Sequence, residues 1–257
     1  MKSLERHTRA VRDSGSTALV PYFMAGLTPN WIDYLHAAVQ AGATTIEVGV
    51  PFSDPLMDGV IIQEAGLRSL ARGTTFASVC SELVHANIGV PLVAMTYYNL
   101  FHHDGDERAL GRLQSAGITG AIVPDLTLEE SAHFRAAADL VDVACISIVA
   151  PSTPVDRVAK LATATEGFCY ASARMAVTGV ASDEGNGARV VADIANVSDI
   201  PTYIGIGVTT PEQASLAAKA SDGVIIGSAI VARILEGASP SDIEQFLGTF
   251  HTAMVSN

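Results

Sequence analysis

Residues 44–63 read TTIEVGVPFSDPLMDGVIIQ. Thr44–Val50 is an apolar run that predicts a β-strand, interrupted by a carboxylate at Glu47. A loop bounded by Pro51 and Gly59 follows, and its last acid, Asp58, comes eleven residues after Glu47. A helix over roughly Val60–Arg72 completes the unit. Strand alternation puts Thr45, Glu47 and Gly49 on one face and Ile46, Val48 and Val50 on the other. The aliphatic set suits packing against helices, which directs Glu47 into the interior of the fold. An ionised carboxylate is costly to bury there unless something compensates it.

The same strand–loop–helix unit recurs on both sides of this stretch. Further strands are expected at Ala18–Met24, Pro91–Tyr97, Gly120–Pro124, Val143–Val149, Gly167–Ala173, Pro201–Ile206 and Asp222–Ile226. Helices are expected from about Pro29 to Gln40, Phe76–Asn87, Asp106–Ser115, Leu128–Asp139, Pro154–Ala164, Ala188–Asn196, Pro211–Ala220, Ser228–Glu236 and Pro240–Met254. Thr28-Pro29, Thr153-Pro154, Thr210-Pro211 and Ser239-Pro240 carry the pattern of a capping hydroxyl followed by proline. Thr127…Glu130 and Thr210…Gln213 have capping-box spacing. Eight strands, each followed by a helix, over 257 residues predict an α/β fold of the (β/α)8 TIM-barrel class. The first fifteen residues add a short amphipathic N-terminal helix. An open doubly wound sheet is the rival, but Ala25-Gly26-Leu27-Thr28 supplies no glycine fingerprint after the first strand. With no linker or compositional break, one domain is expected over residues 1–257.

Bulk composition narrows the function. Hydrophobic residues make up 49% of the chain and charged residues 16%, as a well-buried core requires. A net charge of −12 argues against a surface that tracks nucleic-acid phosphates. Cys80, Cys145 and Cys169 are scattered and lack metal-binding spacing, so they are expected to be reduced core residues. The N-terminus is charged without an apolar signal region, and no apolar run approaches the roughly 18–20 residues that span a bilayer. A cytoplasmic protein without a membrane partner is expected.

In a barrel of this class the chemistry sits at the C-terminal ends of the strands. That rule nominates Tyr22, Glu47, Asp58, Tyr97, Asp125, Tyr170 and the Thr178-Gly179 loop. Two acids in different environments can divide acid and base roles. Gly205-Ile206-Gly207 and Gly227-Ser228 follow the seventh and eighth strands, where small residues let backbone N–H groups approach an anion. Neither segment carries Lys or Arg, so a phosphate would be held by amides and the Ser228 hydroxyl. Plain tight turns are the alternative reading. His102-His103 shows no third metal ligand. Of Tyr97 and Tyr98, one is expected in the core and the other at the mouth. Val180–Gly187 reads as a lid or a solvated loop.

EVGVPFSDPLMDG from Glu47 to Gly59, Tyr97–Asn99, Pro124–Leu126, RMAVTG at Arg174–Gly179 and DGVIIGSAIV at Asp222–Val231 resemble the tryptophan synthase α-subunit family, in register over almost the whole chain. The resemblance implies cleavage of indole-3-glycerol phosphate to indole and glyceraldehyde 3-phosphate, with no metal and no organic cofactor in this chain. It implies Glu47 as the acid/base and Asp58 as the group that binds the indole N–H. Tyr22, Met95, Tyr97 and Ile148 would line the indole pocket, and Tyr170 would position Glu47 and the substrate. Thr178 would contact Asp58 on lid closure, and Gly179, Gly207, Gly227 and Ser228 would hold the phosphate. The implied partner is a pyridoxal-phosphate β subunit that consumes the indole.

This chain departs from the family pattern at Gly26-Leu27-Thr28-Pro29, Met57, Val60, Thr127 and Met175-Ala176. Those changes fall on loops that respond to the β subunit in the family. They motivate a stand-alone lyase as an alternative. A catalytically weak regulatory paralogue and another phosphate-binding barrel enzyme are the more distant ones.

Overall fold

The computed structural model describes residues 1–173, 186–205 and 207–255. Helix α1 (Ser3–Asp13) leads into β1 (Ala18–Met24), α2 (Trp31–Gln40), β2 (Ile46–Gly49), α3 (Val60–Ala71) and α4 (Phe76–Leu83). Then come β3 (Leu92–Met95), α5 (Tyr98–Asp104), α6 (Asp106–Ser115), β4 (Ile118–Ile122) and α7 (Ala132–Asp139). The expected fifth strand is two short ones, β5 (Ala144–Ile146) and β6 (Ile148–Val149), followed by α8 (Val155–Ala164) and β7 (Cys169–Ser172). Helix α9 (Asn186–Ala195), β8 (Thr202–Gly205), α10 (Pro211–Ala220), β9 (Gly223–Ile226), α11 (Ser228–Leu235) and α12 (Pro240–Val255) complete the chain.

All described strand pairings are parallel, in the order β5-β4-β3-β2-β1-β9-β8-β7-β6. The two ends of that order are adjacent in the chain, so the sheet curls into a barrel and meets itself at Ser147. The Ser147 N–H donates to Thr165 Oγ1 (2.9 Å), whereas its carbonyl accepts from the Tyr170 N–H (3.0 Å). One strand thus leaves β4 and joins β7 at this residue. Glu166 completes the seam below it: its carboxylate accepts from the Cys145 N–H (2.9 Å), and its own N–H donates to the Cys145 carbonyl (3.0 Å). These side chains satisfy backbone groups that a regular ladder would otherwise pair.

Every residue of β1 is buried, as expected of a parallel strand with helices on one side and the barrel interior on the other. The interior holds Val20, Val93, Ile122, Phe168, Tyr203 and Ile225. Leu4 of α1 enters the same cluster, which explains the N-terminal helix: it plugs the barrel from below. A Cβ at Gly120 or Gly167 would come within 2.7 Å of Leu4 Cδ2, so both glycines make room for the plug. Thr8 Oγ1 donates to the Gly167 carbonyl (2.6 Å), and Lys2 Nζ donates to the Val143 carbonyl (2.7 Å).

Several helix boundaries differ from expectation. Helix α2 starts at Trp31 behind Asn30, not at Pro29. Thr127 Oγ1 does donate to Glu130 Oε2 (2.9 Å), but the pair lies in a turn, and α7 begins only at Ala132. Thr153 Oγ1 accepts from the Ala150 N–H (3.0 Å), closing a turn ahead of α8. Thr210 and Ser239 behave as expected: each side chain accepts an N–H of the first helical turn, from Gln213 and Asp242 (3.3 Å each). Helix α4 stops at Leu83, short of Asn87. Helix α5 was not expected; its first residue, Tyr98, donates its N–H to the Asp125 carboxylate (2.9 Å). Cys80, Cys145 and Cys169 are free and buried.

Candidate active site

Parallel register sets Tyr22 beside Glu47 and Glu47 beside Val93, one level from the upper end of β2. Glu47 is 1% exposed, and its Oε1 has no hydrogen-bond partner. Burial pushes its carboxyl up to about 8, so the group holds its proton at neutral pH. The neighbouring Tyr22 ring lies across Gly49, where a Cβ would sit 1.9 Å from the tyrosine hydroxyl. Tyr170 does the same to Gly205, at 2.3 Å. Glycine at these strand positions lets two tyrosines lie flat inside the barrel.

The loop after β2 is held by its own backbone and by Tyr97. The Asp58 N–H donates to the Pro55 carbonyl (3.1 Å), and Gln63 Nε2 donates to the Asp58 carbonyl (2.8 Å). The Met57 N–H donates to the Tyr97 hydroxyl (2.9 Å), and the Tyr97 ring stacks on Phe52 at 5.1 Å. Asp58 is half-buried. Burial raises its carboxyl to about 6, against the lowering effect of a hydrogen bond with Tyr97. Burial and the nearby Asp58 charge push Tyr97 up to about 12, so it stays a phenol. The two acids therefore differ in kind: Glu47 is fixed and protonated, whereas Asp58 ionises near neutrality on a loop.

A cavity of about 840 Å³ opens at the strand ends. Tyr22, Glu47, Asp58, Met95, Ile148 and Tyr170 line it, and Gly207, Gly227 and Ser228 close one side. The structure thus brings together most of the residues expected from sequence. Tyr97 faces an adjoining void of about 10 Å³, which shares Tyr22, Asp58 and Met95 with the main chamber. As expected of the tyrosine pair, one stays near the site: Tyr98 instead donates to Asp106 Oδ2 (3.1 Å) between helices. Thr178, Gly179 and the 180–185 part of the expected lid lie outside the described residues.

Gly207 has φ +125°, a conformation that glycine adopts without strain. Gly227 precedes α11, and its carbonyl accepts from the Ile230 and Val231 N–H groups (2.9 and 3.1 Å). Ser228 opens that helix, where the backbone dipole favours an anion. Ser172 and Ile225 also line the cavity, though neither was nominated from sequence. Alternation from Tyr170 would have found Ser172, two residues on along the same face. Among the described residues no group of three or more His, Cys, Asp and Glu is arranged to hold a metal, and His102-His103 closes α5.

The family model described as tryptophan synthase alpha chain matches residues 9–253. The tryptophan synthase alpha chain of Synechocystis is 38% identical over 248 residues, covering 94% of this chain and 93% of that protein. The protein of the same name from Halorhodospira halophila is 38% identical over 253 residues, covering 96% and 93%. Among solved structures, Mycobacterium tuberculosis tryptophan synthase superposes with a TM-score of 0.91 at 33% identity, covering 98% of both chains. The alpha subunit from Legionella pneumophila gives 0.90 at 25% identity, with full coverage of both.

Proposed function

The chain belongs to the tryptophan synthase alpha chain family, and from that premise we propose that it is a lyase cleaving indole-3-glycerol phosphate to indole and glyceraldehyde 3-phosphate. The observation that carries the chemistry is the buried Glu47 carboxyl, with one oxygen unpartnered, in the wall of a chamber shared with Asp58.

Retro-aldol cleavage needs a proton delivered to the indole C3 carbon and a proton removed from the adjacent glycerol hydroxyl. Glu47, protonated at neutral pH, supplies the first and becomes a carboxylate. That carboxylate accepts the hydroxyl proton as the carbon–carbon bond breaks, and the bonding electrons return to the ring. Glu47 ends protonated, so the cycle closes without another proton carrier. Asp58, ionised, accepts the indole N–H and stabilises the positive charge that C3 protonation places on the ring. Tyr22, Met95 and Ile148 give the ring apolar walls, Tyr97 sets the position of the Asp58 loop, and Tyr170, in the wall of the same chamber, positions Glu47 and the substrate. Gly207, Gly227 and Ser228 receive the phosphate. Thr178 and Gly179 join the site on the strength of the RMAVTG motif.

This division of labour predicts a bell-shaped pH profile. Asp58 must be ionised and Glu47 protonated in the free enzyme, so kcat/KM should fall below about 6 and above about 8. An alkaline limb absent up to pH 10 would rule out Glu47 as the initial acid. Ser228→Ala should raise KM roughly tenfold with kcat little changed, since it removes one donor to a charged group held by several. Unchanged KM would mean that Ser228 does not meet the phosphate.

The partner is proposed to be a pyridoxal-phosphate β subunit that takes up the indole. Leu56 and Met57 on the loop that carries Asp58, and Val60 at the start of α3 just after it, support that reading: they are 82%, 56% and 70% exposed. An apolar surface beside a catalytic acid is suited to report partner binding to the site. The steps assigned to this chain are proton transfers and use no organic cofactor. Among the described residues no helix is long and apolar enough to cross a membrane. Free buried thiols fit a reducing compartment, and the cytoplasm is part of the same proposal. The deciding assay is indole release from indole-3-glycerol phosphate, with and without a β subunit. Release by the chain alone, increased by the partner, is expected; no release in either case would overturn the proposal.

A further inference from the structure

The 840 Å³ cavity is not confined to the barrel mouth. It continues outward between α7 and α8, where Phe134, Arg135, Cys145 and Leu161 line it. Cys145 marks how far it reaches. Its neighbours Ala144 and Ile146 pack in the barrel interior, whereas Cys145 belongs to the layer between sheet and helices. A void touching both sets passes from the inside of the sheet to its outer face, beside the strand break at Ser147.

The helix layer leaves this space for a reason in the chain. Helix α7 packs on α6 and α8 packs on α9, but α7 and α8 make no comparable contact with each other among the described residues. The turns through Thr127 and Glu130 delay the start of α7 to Ala132, so the upper part of the layer has no helix beside α8. Polar clasps span the gap at its two ends. At the top, Arg157 makes two hydrogen bonds to the Glu129 carboxylate (2.7 and 2.9 Å). At the bottom, Arg135 donates to the carbonyl of Ala164, the last residue of α8. Between the clasps the walls are Phe134, Leu161 and a thiol.

We propose that the α7–α8 compartment is a second binding site for a small planar aromatic molecule, and that its occupant is indole released in the adjoining chamber. The inference rests on the lyase reading for the identity of the occupant. Its physical basis is the continuity of the cavity and the apolar lining beyond the reach of the phosphate-binding glycines. Of the two products, glyceraldehyde 3-phosphate is a polar anion, and the two cations that reach the compartment are already engaged, Arg135 by the Ala164 carbonyl and Arg157 by the Glu129 carboxylate. Indole has two faces to bury and one N–H to satisfy. The Glu129–Arg157 pair is solvent-exposed, and such pairs are weak latches, so the compartment can exchange its occupant with solvent without unfolding either helix.

The test uses the full chain. Crystals soaked in a bromoindole should show bromine in two places, near Glu47 and between α7 and α8. Equilibrium dialysis with labelled indole should find two molecules per chain, falling to one in Leu161→Trp and in Cys145→Met, which fill the gap from opposite walls. Bromine in the barrel alone, or one molecule per wild-type chain, would overturn the proposal. A chain that shows bromine between α7 and α8 yet releases no indole from indole-3-glycerol phosphate would uphold the compartment and fail the lyase reading alone.

Discussion

Glu47→Gln is expected to lower indole release by roughly 10²–10⁴-fold or more, because one group serves both proton transfers. Gln keeps the volume and can still meet the substrate, so binding measured by equilibrium titration should survive. The same variant should gain stability in a defined pH window. Burial raises the folded-state carboxyl from 4.5 to about 8, so the folded protein holds a proton that the unfolded chain has released. The stability associated with protonated Glu47 is complete below about 4.5 and is lost as pH rises through about 8. Gln has nothing to titrate. Urea denaturation of the free protein should therefore show the variant gaining on the wild type from pH 5 to pH 9, by a few kcal/mol. Part of that gain offsets the cost of seating an amide where Oε1 has no partner. Parallel stability curves for the two proteins would contradict a buried, proton-holding Glu47. Near-wild-type turnover would remove it from the chemistry.

Gly49→Ala is the second large effect, and it acts through shape. The new methyl would lie 1.9 Å from the Tyr22 hydroxyl, 2.4 Å from Cζ and 2.8 Å from Cε2. Relief cannot come from a rotating tip, because the ring itself is in the way and Tyr22 is 7% exposed. The ring must shift toward Glu47, its register partner, or the strands must part. Overpacking of this kind costs about 1–3 kcal/mol, and displacement of Tyr22 into the chamber should remove most indole release. Gly111→Ala is the matched control. It lies within α6, where a Cβ meets nothing within 4 Å, and it should raise the melting temperature slightly. Wild-type melting and turnover in Gly49→Ala would mean that Tyr22 does not lie across the strand.

The barrel was legible because parallel strands covered on both faces read as short apolar runs between capped helices. Glu47 stood out for the opposite reason, as a charge inside such a run. Asp58 was legible from its loop, and the glycines proposed to hold the phosphate from their place after the last strands. The roles given to Tyr170, Met95 and Ile148 came from motif resemblance, since nothing in their local pattern separates a cavity wall from a core. The break at Ser147 was hidden because Thr165 and Glu166, which cause it, lie far along the chain and meet it only after the sheet has curled. Thr127 and Glu130 found each other as their spacing foretold, yet in a turn, because a hydroxyl–carboxylate pair does not by itself oblige the next residues to coil. The part Tyr97 plays in holding the Asp58 loop depends on a hydrogen bond to Met57 across forty residues, which no local pattern announces.

The closure of the barrel also sets an order of events during translation. Strand β1 pairs with β9, whose residues Gly223–Ile226 are made about 200 residues after it. The α1 plug waits as well: Thr8 bonds to Gly167, and Arg9 and Arg12 bond to Asp199. At about 5–20 residues per second, the ribosome leaves this first segment without its partners for roughly ten seconds or longer. Ala18–Met24 is then an apolar edge with its hydrogen-bonding groups unpaired on one side. The nascent chain is therefore a natural client for holdase chaperones until β9 emerges. Slow synthesis of any stretch between Met24 and Gly223 lengthens that exposure and should cost soluble enzyme, whereas slow synthesis before Ala18 should not.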